Sequence, residues 1–79
     1  MTPNEARHIF CIGIGGIGIS GLAKIFAAQG KRVSGVDAVR SEITDELQAM
    51  GMEVKIGEAD ATIPQDVDLF IYINTNLHI

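Results

Sequence analysis

The 79-residue sequence predicts an α/β fold in which helices cover a parallel β-sheet. Short apolar segments, typical of buried strands, alternate with segments whose apolar residues recur at helical spacing. A glycine-rich stretch, CIGIGGIGISG, joins the first strand to the first helix. With 47% hydrophobic and 20% charged residues, the composition indicates a folded globular chain. We therefore expect a single domain over residues 1–79.

The first strand, helix and second strand form one predicted unit. His8 to Ile14 is a nearly continuous apolar strand, and helical spacing begins at Ile17. This helix should end near Gln29 and Gly30, because glycine is a common helix terminator. A second strand follows and ends at Asp37.

The second half of the chain repeats the alternation. Ser41 is the predicted N-cap of a helix that ends before Gly51, and its inward face should carry Ile43, Leu47 and Met50. The predicted third and fourth strands are residues 53–56 and 67–73, with at most a turn or two of helix between them.

Strands that alternate with helices favour right-handed crossovers in a parallel sheet. The whole pattern predicts a Rossmann-like three-layer sheet of about four strands, with a βαβαβ start, truncated relative to a complete doubly wound fold. The apolar strand VDLFIYI runs directly into NTNLHI, with no helix predicted to cover it. We therefore expect an exposed last strand that could self-associate or be completed by a partner.

Charge and composition exclude several classes of function. The net charge is −4 and the six basic residues are scattered, so we expect no nucleic-acid partner. No apolar run approaches the roughly 20 residues that span a bilayer, and the glycines argue against a signal peptide. His8 and His78 lack ligands at metal-binding spacing, so we expect no metal site. Cys11 lies in an apolar strand, as a buried thiol in a reducing cytoplasm would.

The glycine loop is the main candidate binding site. Gly13, Gly15 and Gly18 fit G-x-G-x-x-G at a strand-to-helix turn. In that pattern the first glycine permits a tight turn, the second lets backbone approach a diphosphate, and the third lets helix and strand pack closely. The amides of Gly15 to Gly18, at the positive end of a helix dipole, would hold the anion.

Asp37 and the end of the last strand extend this candidate site. A carboxylate at the end of the second strand can accept hydrogen bonds from a ribose diol, which favours NAD over NADP among nicotinamide cofactors. Asn74 and Thr75 follow the fourth strand, where doubly wound folds bind ligands. No side chain suggests catalysis. A nicotinamide-binding module of a dehydrogenase, or a regulatory nucleotide sensor, remains an alternative interpretation.

The sequence also resembles the N-terminal domain of the Mur ligases. The resemblance covers about residues 8 to 73 and is carried by HIFCIGIGGIGISGLAKIF, by VSGVD, and by Ser41, Thr44, Leu47, Gly51 and Gly57. It implies UDP-N-acetylmuramate as the ligand in place of a nicotinamide cofactor. By the same resemblance, Gly15, Gly16, Ile17 and Gly18 would face the diphosphate and sugar, Asp37 would lie by the uridine, and Asn74 and Thr75 would lie nearby.

The family reaction implied is ATP-dependent amide formation through an acyl phosphate, in cytoplasmic peptidoglycan synthesis. The chain has no G-x-x-x-x-G-K-S/T loop. The resemblance therefore implies that ATP and Mg²⁺ bind to other domains of a longer parent ligase. We expect this chain alone to be inactive and to bind the UDP-sugar with a dissociation constant on the order of millimolar.

Overall fold

The computed structural model describes residues 4–57 and 63–73. Their elements, in chain order, are β1 (His8–Ile12), α1 (Ile17–Ala28), β2 (Arg32–Asp37), α2 (Glu42–Ala49), β3 (Glu53–Ile56) and β4 (Leu69–Ile71).

The four strands form one parallel sheet in the order β3-β2-β1-β4. The chain adds β2 and β3 on one side of β1 and then returns to add β4 on the other side. The boundary between β1 and β4 is therefore the topological switch point at which open α/β sheets bind ligands. This arrangement confirms the predicted Rossmann-like fold.

The core lies between the sheet and the two helices. Ile9 and Cys11 of β1, with Val33 of β2, alternate toward this face and meet Ala23 of α1 and Leu47 of α2. On the opposite face, Phe10 makes an edge-to-face contact with Phe70, with ring centroids 5.9 Å apart. Of the three predicted layers, the described residues show the sheet and one helical layer.

The first strand is shorter than predicted, because a turn begins at Gly13. This glycine has a φ of 75°, a conformation that residues with a side chain rarely adopt. The amides of Gly13 and Ile14 both donate to the Val36 carbonyl, at 2.8 and 3.1 Å. Ile14 is fully buried although it lies in this turn. The apolar run therefore extends past the end of the strand, which is why the sequence predicted a longer one.

The prediction that Met50 lies on the inward face of α2 is wrong. Met50 is the C-cap residue and its exposed fraction is 51%. The chain turns at Gly51, where φ is 96°, and Met52 is buried instead. The fourth strand is likewise shorter than predicted: Val67 and Asp68 precede it, and Tyr72 and Ile73 follow it.

Two further predictions concern α2 and the sheet edge. Ser41 caps α2 as predicted: its hydroxyl accepts from the Thr44 amide at 3.2 Å, and its own amide donates to the Thr44 hydroxyl at 2.9 Å.

Strand β4 lies at an edge of the sheet, so the surface for the predicted self-association is present. Among the described residues, no helix is long and apolar enough to cross a membrane.

Candidate ligand-binding site

The glycine loop is a compact turn between β1 and α1. The Gly16 amide donates to the Gly13 carbonyl at 2.9 Å, and Gly16 is the N-cap residue of α1. Within residues 4–57 and 63–73, no side chain caps this helix. The loop therefore brings the positive end of the α1 dipole to the carboxyl edge of the sheet.

The loop amides divide into used and open donors. The Gly15 amide donates to Asp37 Oδ2 at 2.8 Å, and the Gly16 amide is used within the turn. The amides of Ile17 and Gly18, in the first turn of α1, have no acceptor among the described residues. Of the amides predicted from Gly15 to Gly18, these last two are available to an anion without rearrangement.

The structure shows only some of the roles predicted for the glycines of the loop. A Cβ atom on Gly15 would lie 2.9 Å from both Asp37 Oδ2 and Thr44 Cγ2, so protein atoms already occupy the space beside this glycine. A Cβ atom on Gly18 would meet nothing within 4 Å. The predicted close packing of helix and strand at Gly18 is therefore wrong, and the fold leaves that space open.

Gly35 is the glycine that close packing does require. A Cβ atom there would lie 2.5 Å from the Cys11 carbonyl oxygen and 2.7 Å from Ile14 Cδ1. Sequence reasoning missed this residue, although a glycine inside the buried strand VSGVD was a signal of close backbone approach. Gly35 lets the turn after β1 fold back onto β2.

Asp37 connects the glycine loop to the end of β2. Its Oδ2 accepts from the Gly15 amide at 2.8 Å, and its Oδ1 accepts from the Val39 amide at 3.1 Å. Both carboxylate oxygens therefore position backbone, and each retains a lone pair that could accept from a ligand. The predicted contact with a ribose or uridine stays a prediction.

A crevice of about 330 Å³ opens where the glycine loop faces the end of β4. It is lined by Ile12, Gly13, Gly16, Ile19, Tyr72 and Ile73. The crevice lies at the β1–β4 switch point and its described lining carries no charged side chain. Tyr72 was not predicted as a site residue, although it is the second-last residue of the apolar run VDLFIYI at the same edge. The predicted Asn74 and Thr75 lie outside the described residues.

Large apolar side chains are exposed around this crevice. Ile17, the first residue of α1, has an exposed fraction of 86%, and Tyr72 has one of 65%. Neither contributes much to the core, and an apolar ligand surface would be the natural partner of both. Within the described ranges, no group of three or more histidine, cysteine or acidic residues could hold a metal ion.

Fold and site together define a doubly wound α/β domain with a glycine loop of the kind used for phosphate-bearing ligands. A family model described as "Mur ligase family, catalytic domain" matches residues 8–77. The chain belongs to the Mur ligase family.

Curated relatives agree with this assignment. The chain is 46% identical over 69 residues to UDP-N-acetylmuramate--L-alanine ligase of Lachnospira eligens, a match that covers 87% of this chain and 15% of that protein. It is 47% identical over 72 residues to the enzyme of the same name from Clostridium novyi, with 91% and 16% covered. The chain thus spans about one-seventh of the length of these relatives.

Proposed function

We propose that this chain is the UDP-N-acetylmuramate-binding domain of a ligase that forms an amide bond at the expense of ATP in peptidoglycan synthesis. The observation that carries the proposal is the crevice at the β1–β4 switch point, lined in part by Gly16, which directly precedes the open amides of Ile17 and Gly18. The relatives named UDP-N-acetylmuramate--L-alanine ligase supply the identity of the ligand.

The two parts of the site suit the two parts of a UDP-sugar. The diphosphate would accept hydrogen bonds from the Ile17 and Gly18 amides, where the helix dipole favours negative charge. The apolar wall formed by Ile12, Ile19 and Tyr72 would cover an uncharged part of the ligand. Asp37 would accept from a hydroxyl or imide group while it continues to hold the Gly15 amide.

Catalysis would need the rest of the parent ligase. ATP, Mg²⁺ and the amino acid would bind to domains beyond this chain, because no phosphate-binding loop for ATP exists in its sequence. For the ligation reaction we therefore assign substrate binding, and no catalytic residue, to this chain, and we place the parent enzyme in the cytoplasm. With two amides and a shallow crevice, we expect a dissociation constant on the order of millimolar.

Gly18→Ala tests the proposal with little risk to the fold. The added methyl group meets nothing within 4 Å in the protein, but it would project beside the amides that hold the diphosphate. Gly21→Ala is the matched control, because Gly21 lies in the same helix and its Cβ position is equally open. Both changes should raise helix propensity by up to about 1 kcal/mol.

The measurement is an amide-resolved NMR titration with UDP-N-acetylmuramate and, separately, with NAD. We expect the UDP-sugar alone to shift Ile17, Gly18 and Tyr72, and we expect Gly18→Ala to weaken binding several-fold while Gly21→Ala does not. A response to NAD alone would identify a nicotinamide module instead. Equal affinities of the two variants for UDP-N-acetylmuramate would contradict the proposed position of the diphosphate at the N-terminus of α1.

A further inference from the structure

Three side chains form a linear hydrogen-bonded series at the opposite end of the sheet from the glycine loop. His8 Nε2 lies 2.6 Å from Ser34 Oγ, and His8 Nδ1 lies 3.2 Å from Asp66 Oδ1. When Nδ1 carries the proton and donates it to Asp66, Nε2 is free to accept the proton of the Ser34 hydroxyl. This order of groups activates serine nucleophiles in unrelated folds.

The surroundings hold this series in one arrangement. His8 and Ser34 are buried, with exposed fractions of 4% and 3%. Arg32 donates to the second oxygen of Asp66 at 2.8 Å, which orients the carboxylate toward His8. The charged groups around His8 are Asp66, Asp68 and Glu53, with Arg32 and Arg7 as the cations.

Ser34 also faces a cavity. A space of about 280 Å³ is lined by Phe10, Arg32, Ser34, Gly35, Glu53, Lys55 and Pro64. Its size suits a small ester or acyl group better than a nucleotide. Lys55 and Arg32 place positive charge along the same cavity, where it would stabilise the negative charge that develops on a carbonyl oxygen during the reaction.

We propose that Ser34 is a base-activated nucleophile that accepts acyl groups from small esters, with His8 as the general base and Asp66 as a positioning residue. The site is separate from the crevice at the glycine loop, and the proposal does not depend on the binding of a UDP-sugar. It assigns an acyl-transfer activity to the face of the sheet that carries no described helix.

The chemistry balances with water as the second reactant. Ser34 Oγ bonds to the ester carbonyl carbon while its proton passes to His8 Nε2. The bond from carbon to the alcohol oxygen then breaks, and His8 returns the proton to the departing alcohol. Water, deprotonated by His8, next attacks the acyl carbon. The bond from carbon to Ser34 Oγ breaks, the serine regains a proton, and a carboxylic acid leaves.

The test is acetylation of the whole chain by p-nitrophenyl acetate, followed by peptide mass mapping. Ser34 should be acetylated faster than Ser20 and Ser41, because those hydroxyls bond to backbone and have no neighbouring base. The same sample reports acetylation of the lysines, which controls for the reagent.

Two surface variants separate positioning from general stability. Asp66→Asn removes the negative charge beside His8 Nδ1 and no longer favours the tautomer in which Nδ1 carries the proton, so we expect it to slow acetylation of Ser34 relative to lysine at least about tenfold. Asp45→Asn is the matched control, because Asp45 is also an exposed aspartate that pairs with an arginine, Arg40, but it lies outside the cavity and makes no hydrogen bond to His8. Early, acid-quenched samples that contain acetylated lysines but no acetyl-Ser34 and show no p-nitrophenol release beyond that from the lysines, or equal rates in the two variants, would overturn the proposal.

Discussion

The two ends of the parallel sheet differ in whether their polar groups have hydrogen-bond partners within the protein. At the amino end of β1, Asp68 accepts from the amides of Arg7 and His8 at 2.8 and 2.9 Å, and Asp66 joins His8 to Arg32. At the carboxyl end, the amides of Ile17 and Gly18 stay open and large apolar side chains are exposed. One end has its polar groups paired within the protein, and the other has backbone donors with no acceptor among the described residues.

This difference separates the end of the sheet that protein contacts stabilise from the end that carries open donors. Among the described residues, no buried side-chain nitrogen or oxygen lacks a hydrogen-bond partner, so the closed end satisfies its polar groups internally. An uncapped helix and an exposed Ile17 are unfavourable in an isolated domain, and both occur at the open end. Substitutions at the two ends should therefore separate stability from binding.

The largest effect should come from Gly35→Ala. The new methyl group would lie 2.5 Å from the Cys11 carbonyl oxygen, and neither backbone segment can move away without disturbing the sheet. We expect the free energy of unfolding to fall by about 3 kcal/mol, measured by urea denaturation. Gly18→Ala at the open end should leave it unchanged or raise it slightly. A stable Gly35→Ala variant would show that the close approach of β1 and β2 can relax.

His8→Ala should have the next largest effect, because it removes a buried side chain and leaves Ser34 without its partner. We expect a loss of about 2 kcal/mol in the free energy of unfolding. Ile17→Ala, at the open end, should change it by less than about 0.5 kcal/mol, since the side chain is 86% exposed. Comparable losses in the two variants would contradict the division between the ends.

Acid should weaken the closed end by a smaller amount, because its carboxylates are exposed. Hydrogen bonds from the His8 and Arg7 amides lower the pKa of Asp68, and Arg32 lowers the pKa of Glu53. A pKa that is lower in the folded state gives stability that is present above the unfolded value and lost as pH falls through the folded value. The urea midpoint should stay level near neutral pH and fall below about pH 4.

Asp68→Asn is the control for this pH dependence. This variant should have a lower urea midpoint at neutral pH and a smaller decrease of that midpoint in acid. The reason is that the asparagine side chain does not ionise, so its hydrogen bonds do not change strength with pH. An unchanged acid profile in this variant would assign the decrease to other carboxylates.

Self-association through β4 should be the weakest effect. Strand β4 has β1 as its only neighbour in the sheet that the structure describes, and a three-residue edge offers few hydrogen bonds. We expect analytical ultracentrifugation to show a dimer only at high protein concentration and to show less of it for Phe70→Lys. A monomer at every protein concentration would contradict this prediction.

Much of the fold could be predicted because its signals are local. The glycine turn after β1 and the cap at Ser41 each depend on a few consecutive residues, and the structure shows both. The errors arose where local and long-range effects compete. Ile14 continues an apolar run but belongs to a turn, and Met50 keeps helical spacing although the helix has already ended.

The candidate site was harder to predict than the fold. The sequence placed the glycine loop and Asp37 at one edge, and the loop's Gly15 does meet the Asp37 carboxylate. It assigned close packing to Gly18, whereas that constraint applies to Gly35, because only the folded chain shows which backbone segments approach each other. The apolar wall at Tyr72 depends on the order of the strands, which no local pattern specifies.

The sequence by itself determined the alternation of strands and helices, the glycine turn and the resemblance to Mur ligases, because these depend on neighbouring residues. Only the tertiary structure decided which polar groups meet. His8 lies 26 residues from Ser34 and 58 from Asp66 along the chain, yet parallel pairing of the strands brings them into hydrogen-bond contact. Strand register, rather than sequence spacing, determines such contacts, since it aligns side chains from distant segments on one face.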